Sequence, residues 1–243
     1  MHRVCGALLL SAGAAACQAD DPDNSCGIPT SELSLVATAV DNGPTLRAEV
    51  DFTTVRASGE LSIALCDEDK LIIAGEEPQR VDRPDRVIYS YTSEVTSSPT
   101  VEFEFVRDGE DSVTFSITMP PAFEVTAPQP DTEISRSAEL LLEWLPPNPG
   151  GSMRIALAEE IGNGVCLETL VEAHNYKDLS GVDIEDDGNW KIPAATIDSG
   201  ARDKCDATYR FARLASAEYP AALHAGGYLE GRVERAVAFS SVP

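Results

Sequence analysis

Apolar and polar residues alternate one by one along much of the chain between residues 33 and 120. Leu46, Ala48 and Val50, for example, are separated by Arg47 and Glu49. The same period, or a short apolar run of strand length, occurs at 33–40, 46–53, 61–65, 87–95, 101–105 and 113–117. This alternation is typical of β-strands that bury one face and expose the other. It predicts six or seven antiparallel strands and no helix of useful length.

A turn and a pair of prolines punctuate this pattern. Asp108-Gly109 separates the last two strands and is a strong signal for a β-hairpin. Pro120 and Pro121 then stop the last strand, because proline cannot donate to a sheet ladder. We therefore place a domain boundary at about residue 122, with one domain over 26–122 and a second over 123–243.

A second series of strands begins directly after this boundary. Its segments are 124–127, 138–145, 154–158, 189–192, 208–213 and 232–239. In the connection at 166–174, Leu167, Leu170, Val171 and His174 recur at helical spacing. This spacing predicts a short helix in the second domain.

The second half resembles immunoglobulin-like and fibronectin type III-like modules of cell-surface proteins. Leu-Leu-Leu-Glu-Trp-Leu-Pro-Pro at 140–147 is similar to the second strand of that fold, with Trp144 as its core tryptophan. Tyr-Arg-Phe-Ala-Arg at 209–213 is similar to the penultimate strand. With the strand pattern of the first half, the resemblance implies an all-β protein of two tandem antiparallel β-sandwich (immunoglobulin-like) domains. It implies no active site, because such modules carry many different functions.

The first residues have the three-part layout of an export signal. His2 and Arg3 form a short positive region, residues 4–12 are apolar, and small residues follow up to Ala16. The apolar run is much shorter than the ~20 residues that a membrane-spanning helix needs. We therefore expect a signal peptide over 1–16, followed by a flexible acidic tether over 17–25.

Ala14-Ala15-Ala16-Cys17 resembles the lipobox of bacterial lipoproteins, in which a small residue precedes the lipid-bearing cysteine. The resemblance implies that Cys17 is acylated and holds the protein to a membrane surface. Gln18 follows it, in place of the aspartate that marks inner-membrane retention. This favours the outer membrane or the cell surface, with a periplasmic face as a further option. The alternative is a soluble, secreted protein without lipid.

The cysteines support export. The chain has 6 cysteines, of which Cys5 leaves with the signal. A lipidated Cys17 leaves an even number, as expected for a protein whose thiols pair in an oxidising compartment. We predict two disulfides, each within one domain: Cys26–Cys66 and Cys166–Cys205. Four cysteines permit three connectivities, so this pairing depends on the domain boundary.

The net charge of −23 is spread over both halves of the chain. A surface of this sign repels nucleic acid and anionic headgroups, so we expect no nucleic-acid partner. Arg80, Arg83 and Arg86 are interleaved with Asp82 and Asp85 in a predicted loop. Local pairing explains these arginines better than a phosphate site does.

No residue pattern predicts catalysis. After the signal, the histidines are His174 and His224, and no G-x-S-x-G nucleophile motif occurs. Histidines without such a setting are expected to be structural. We therefore predict no catalytic residue, no enzymatic activity and no cofactor other than a possible calcium ion.

Two acidic clusters are the candidates for that calcium ion. Asp183, Glu185 and Asp187 have the alternate spacing of the first half of an EF-hand loop. The glutamate expected at the twelfth position is replaced by alanine, so an acidic turn before a strand is favoured. Asp67 and Asp69 form the second cluster, for which a turn is favoured as well.

Together these features predict a non-enzymatic, lipid-anchored cell-envelope protein that acts as an interaction or structural module. Its partner is an unidentified protein or glycan, and the loops at the ends of the sandwiches are expected to bind it. Two alternatives stay open: a calcium-dependent or glycan-binding surface module, and a secreted, unlipidated binding protein.

Overall fold

The computed structural model describes residues 24–56, 59–94, 99–159, 181–195 and 203–243. The predicted signal peptide, Cys17, Cys166 and His174 lie outside the described residues, as does the helix predicted at 166–174. Of the predicted tether, Asn24 and Ser25 are described. Within these ranges, no helix is long and apolar enough to cross a membrane.

The N-terminal half follows the strand pattern of the sequence. A 3-10 turn at Thr30–Glu32 precedes the first strand. The strands are β1 Leu33–Asp41, β2 Thr45–Arg56, β3 Gly59–Ile63, β4 Lys70–Ile73, β5 Gln79–Asp82, β6 Val87–Glu94, β7 Thr100–Val106 and β8 Val113–Thr118. β7 and β8 form the hairpin predicted from Asp108-Gly109.

The C-terminal half adds eight further strands. They are β9 Glu124–Ala127, β10 Thr132–Ser135, β11 Leu140–Leu145, β12 Ser152–Glu159, β13 Val182–Glu185, β14 Asn189–Ile192, β15 Cys205–Ser216 and β16 Tyr228–Val242. β15 and β16 form a long antiparallel pair, from Cys205 opposite Ser241 to Ser216 opposite Glu230.

One large sheet runs through both halves. Its 10 strands follow the path β13-β12-β15-β16-β1-β2-β6-β5, with β10 paired to β16 and β3 paired to β2. The halves meet where β1 and β16 pair in parallel, from Val36 opposite Tyr228 to Asp41 opposite Val233. We call this parallel pairing the seam. Backbone hydrogen bonds therefore run without a break from one half of the protein to the other.

Two smaller sheets complete the sandwiches. The three-stranded sheet β4-β7-β8 covers the N-terminal part of the large sheet, and β14-β11-β9 covers the C-terminal part. Each sandwich has its own hydrophobic core: Phe52 and Phe105 lie in the first, and Trp144 and Phe211 in the second. The predicted fold class, all-β with two tandem β-sandwiches, is confirmed.

Strand β16 contributes to both cores. Leu229, near its start, packs in the N-terminal core, whereas Val233, Val237 and Phe239 pack in the C-terminal core. Leu223, in the loop before β16, also belongs to the N-terminal core. Burial of each large apolar side chain contributes about 2 kcal/mol. The N-terminal sandwich therefore depends on residues from the far end of the described chain.

Four short strands, each of 4 residues, were not predicted from the sequence: β4, β5, β10 and β13. Residues 79–82 were expected to be a loop and form β5, and residues 183–185 of the expected acidic turn at 183–188 belong to β13. Both β5 and β13 are edge strands of the large sheet. Their side chains are mostly exposed or half-buried, so these two strands lack the apolar alternation that predicted most of the strands of the large sheet.

Candidate binding groove on the shared sheet

The solvent-facing side of the large sheet carries a cross-strand row at the seam. Tyr228 on β16 lies opposite Val36 on β1, which lies opposite Asp51 on β2, which lies opposite Ile88 on β6. Neighbouring strands are about 4.8 Å apart, so these side chains are adjacent on one face. The row combines an aromatic ring, two aliphatic side chains and a carboxylate.

Two charged rows follow along the same strands. Glu230, Thr38 and Glu49 lie opposite one another, two residues along from the first row. In the third row, a further two residues along the strands, Val40 lies opposite Arg232 on one side and Arg47 on the other. An acidic row is therefore followed by a basic row along the seam.

A groove of about 440 Å³ lies over these rows. It is lined by the four residues of the first row, by Thr38 and Glu49 of the second, by Arg232 of the third, and by Arg86. The pairing of β15 with β16 stops at Glu230, so Tyr228 has no partner on β15. Tyr228 is 50% exposed. The groove is thus lined by residues from both halves of the chain, since Tyr228 and Arg232 come from the C-terminal half.

The charges in the groove are held by neighbours. Glu49 accepts a hydrogen bond from Arg47, and Glu230 accepts one from Arg232. Both members of the Arg232–Glu230 pair are less than 20% exposed, so screening by solvent is partial. The lining carries two carboxylates and two guanidinium groups, and their formal charges cancel. This local balance contrasts with the net charge of −23 of the chain.

Asp51 is the most constrained acid of the groove. Its Oδ1 accepts a hydrogen bond of 2.7 Å from Ser62 Oγ, which in turn accepts one of 3.1 Å from the backbone N–H of Val87. Burial raises the pKa of the Asp51 carboxyl, against the smaller lowering effects of the Ser62 hydrogen bond and of Arg86. Asp51 is therefore fixed in position at the floor of the groove.

A buried ion pair of the C-terminal half lies next to the connection between the two halves. Arg213 on β15 pairs with Asp186 in the β13–β14 turn, and neither side chain is exposed. Arg213 Nη1 donates to the carbonyl oxygen of Pro121 at 2.8 Å, and Nη2 donates to that of Pro146 at 2.7 Å. Because Pro121 belongs to the connection between the sandwiches, Arg213 holds that connection against the C-terminal core.

A second arginine stabilises the same junction. Arg235 on β16 forms an ion pair of 3.3 Å with Asp41 at the end of β1. Its guanidinium carbon lies 5.8 Å from the centre of the Phe123 ring, and that of Arg213 lies 4.9 Å from it. Phe123 is the first residue of the predicted second domain and is buried. The junction is therefore a packed interface and not a free linker.

The N-terminal segment is held by a related arrangement. Arg107, between β7 and β8, pairs with Asp69 at 3.2 Å, and the side chains are 8% and 3% exposed. Arg107 Nη2 donates to the backbone carbonyl of Ser25 at 3.0 Å, and the Ser25 hydroxyl donates to Asp69. Ser25, placed in the tether by the sequence, is fully buried. The fold thus begins before the predicted start of the domain.

The disulfide Cys26–Cys66 predicted from the domain boundary is present. Its Cα atoms are 5.7 Å apart, within the usual range for a disulfide. Cys205 is buried and disulfide-bonded. Its predicted partner, Cys166, lies outside the described residues.

The acidic calcium candidates are dispersed. Asp183 accepts hydrogen bonds of 2.6 and 2.9 Å from Arg154, and Glu185, at the end of β13, and Asp187, between β13 and β14, are exposed. Asp69 is occupied by Ser25 and Arg107, whereas Asp67 is exposed. In the part of the chain that the structure describes, no three His, Cys, Asp or Glu residues are grouped for a metal ion.

Ser34 and His224 form a pair that resembles part of a hydrolytic site. Ser34 Oγ lies 3.2 Å from His224 Nδ1 and 3.1 Å from the carbonyl oxygen of the same residue. Ser34 is buried, however, and a catalytic serine must face its substrate. The hydroxyl of Tyr219 accepts a hydrogen bond of 2.9 Å from the backbone N–H of Leu35 beside it. These contacts fix the loop before β16 against β1.

The groove was not predicted from the sequence. Binding was expected at the loops, and the last strand was expected to begin at Arg232, which left Tyr228 out. Asp51 and Val36 were recognised as strand residues, but the pairing of β1 with β16 has no local signal. Internal charge balance on a strand face, as at Arg47 and Glu49, is the sequence feature that could have marked this surface.

No family model matches this chain, and no curated protein matches it. In solved structures, a crystal structure described as DIP-gamma IG1+IG2 aligns with 87% of this chain and 98% of its own chain, at 7% identity and a TM-score of 0.23. Similarity at this level carries no argument. The fold is established by the strand order and the two cores described above.

Proposed function

We propose that this protein is a non-enzymatic cell-envelope module, held to a membrane by lipid on Cys17, which binds a partner through the seam. The observation that carries the proposal is the continuous sheet across both sandwiches, with a groove lined by residues of each half. A site built from two halves keeps its shape only if the halves are fixed relative to one another. The seam and the buried Arg213 provide this rigidity.

The side chains of the groove support binding and not catalysis. General acid–base chemistry needs groups that can exchange protons with a substrate at the working pH. Here Asp51 is held by Ser62, Glu49 by Arg47 and Arg232 by Glu230. Groups fixed in this way can position a ligand at low cost in side-chain entropy.

Export is supported by the disulfides. Cys26–Cys66 is formed and Cys205 is disulfide-bonded. Disulfides persist in oxidising compartments, such as the periplasm and the cell surface. We further propose that the exported protein is attached to the outer membrane through lipid on Cys17.

Fractionation of a Gram-negative host tests the anchor. The full-length protein should sediment with the membranes, and its intact mass should equal the chain from Cys17 plus lipid. Cys17→Ser should release the protein into the soluble periplasmic fraction. Cys5→Ser is the matched control, since Cys5 leaves with the signal, and it should not change the location. A soluble wild-type protein without lipid would establish the secreted alternative and remove the anchored module.

A calcium-dependent module is distinguished by thermal unfolding. Extracellular modules bind calcium with millimolar affinity, so millimolar calcium should raise the unfolding temperature of such a protein, and chelation should reverse this. For the module proposed here, the unfolding temperature should be the same with calcium and with chelator. A reversible calcium-dependent shift would replace the present proposal by the calcium-dependent alternative.

A further inference from the structure

We propose that the groove at the seam binds a neutral saccharide, with the ring of Tyr228 as its stacking surface. This inference rests on the proposed function, because it names the ligand class of the same surface. It follows from the volume, the charge and the hydrogen-bonding character of the groove.

The volume suits one or two sugar rings. The groove measures about 440 Å³, which lies in the range of pockets that hold small ligands, roughly 300–1,000 Å³. It lies on the face of a sheet and is open to solvent, so a longer chain can extend beyond it. A folded protein partner would instead need a much larger contact surface, of roughly 800 Å² on each partner.

The charge balance excludes ligands of high net charge. Glu49 and Asp51 line the groove together with Arg86 and Arg232, and the formal charges of the lining cancel. The protein around the groove carries a net charge of −23, which opposes the approach of anions. A cationic ligand would be repelled by Arg86 and Arg232 in the groove itself. A ligand without net charge avoids both costs.

The hydrogen-bonding groups of the groove are best matched by hydroxyl groups on the ligand. Ionised carboxylates only accept hydrogen bonds, and guanidinium groups only donate them. A hydroxyl does both, so a polyhydroxylated ligand can satisfy Asp51 and Arg86 at once. Hydrogen bonds to charged groups are also the stronger ones. The aliphatic side chains of Val36 and Ile88 supply the apolar part of the floor.

Tyr228 supplies the remaining requirement of sugar binding. Its ring lines the groove and its side chain is 50% exposed. A tyrosine ring offers a rigid apolar face and a polar hydroxyl, which is the form of an amphipathic binding contact. The C–H face of a pyranose ring can stack on it while the sugar hydroxyls reach the charged rows.

Saturation-transfer NMR and calorimetry test this class directly. The full-length protein, extracted in a detergent without sugar headgroups, is titrated with chitotriose and maltotriose as neutral probes. Sialyllactose serves as an anionic probe, and glycylglycine as a zwitterionic one. We expect one of the neutral saccharides to bind, with an affinity that changes little with salt, since no net charge is paired.

Variants locate the binding. Tyr228→Ala should weaken saccharide binding about tenfold or more, whereas Tyr228→Phe, which keeps the ring, should lose much less. Glu49→Gln should also weaken it. Leu145→Ala is the matched control, because Leu145 is 57% exposed on the smaller sheet of the C-terminal sandwich, and it should bind like wild type.

Three outcomes overturn the inference. Neither neutral saccharide binds; a neutral saccharide binds but Tyr228→Ala leaves its affinity unchanged; or sialyllactose or glycylglycine binds more tightly than both. Each of these leaves the membrane anchor of the proposed function intact, since that is tested separately by fractionation. Loss of the anchor, in turn, would not change the result of the titrations.

Discussion

Arg213 and Asp186 form an ion pair in which neither side chain reaches solvent. The pair is completed by Trp144, whose indole N–H donates to Asp186 Oδ1 at 2.7 Å. All three residues come from different elements of the C-terminal sandwich, and Arg213 also holds Pro121 in the connection to the N-terminal one. Buried charges are costly unless they are fully paired, so each partner depends on the other.

Replacing Asp186 by asparagine should strongly destabilise the protein. The asparagine oxygen can still accept from Trp144, but Arg213 is left buried without a counter-charge. Removing one partner of a buried pair costs about 3–5 kcal/mol. The measurement is the free energy of unfolding in urea. Asp183→Asn is the control, because the Arg154–Asp183 pair is 23% and 51% exposed, and exposed pairs contribute about 1 kcal/mol or less. Equal losses in the two variants would contradict the assignment of Asp186 as the buried partner.

The Cys26–Cys66 disulfide should contribute substantially to the stability of the N-terminal sandwich. Its sequence separation is 40 residues, for which the chain-entropy account gives about 4 kcal/mol. The double variant Cys26→Ser with Cys66→Ser should lose about this much in urea unfolding without reductant. With reductant, wild type and variant should approach one another. A variant as stable as oxidised wild type would show that the Arg107–Asp69 contacts alone hold the segment.

Asp51 should make stability depend on pH. Burial raises the pKa of Asp51, so the folded protein binds this proton more tightly than the unfolded chain does. Ionisation of Asp51 therefore destabilises the fold above the raised pKa, and this cost disappears as the pH falls through it. Asp51→Asn should accordingly unfold at a higher temperature than wild type at pH 7. The difference should vanish below about pH 4.

Asp183 provides a control of opposite sign for this experiment. The hydrogen bonds from Arg154 lower the pKa of Asp183, so its ionised form stabilises the fold above the usual carboxyl pKa. That stability is lost as the pH falls through the lowered pKa. Asp183→Asn should therefore unfold at a lower temperature than wild type at pH 7. Shifts of the same sign in both variants would show that the substitutions act through something other than ionisation.

Gly227 should be required for the seam. A Cβ atom at this position would lie 1.7 Å from the backbone carbonyl oxygen of Leu35 on β1. Gly227→Ala should therefore push β16 away from β1 and cost more than about 3 kcal/mol, whereas Gly231→Ala should cost about 1–3 kcal/mol. At Gly231 the nearest atoms, in Ile117 and Thr118, are 3.0 Å away. The measurement is urea unfolding with hydrogen exchange of the β1 amides. Full protection of β1 in Gly227→Ala would contradict this account.

Local patterns were sufficient to predict most of the fold. The alternation of Leu46, Ala48 and Val50 located β2, and the proline pair located the end of β8, because both depend only on neighbouring residues. The edge strands β5 and β13 were missed since they bury little, and β4 and β10, each a strand of 4 residues, were missed as well. Arg80 and Asp82 were correctly paired although their segment was predicted to be a loop.

The candidate site could not be predicted in the same way. Tyr228, Val36 and Asp51 become neighbours only because β1 pairs with β16. No local rule relates two segments so far apart in sequence, and the resemblance to separate sandwich modules favours independent sheets. Likewise, Arg213 and Asp186 look like ordinary polar residues until the fold buries them.

The double role of β16 also sets the order in which the chain can fold. A chain is made from its N-terminal end, and the strands β1 to β8 are complete long before Leu229 is added. Until then β1 has an open edge, which is a template for wrong pairing. The two sandwiches therefore cannot mature one after the other, as separate domains usually do. A chain interrupted before residue 228 would leave both sandwiches incomplete. Proteases in the cell would therefore degrade both halves of such a chain.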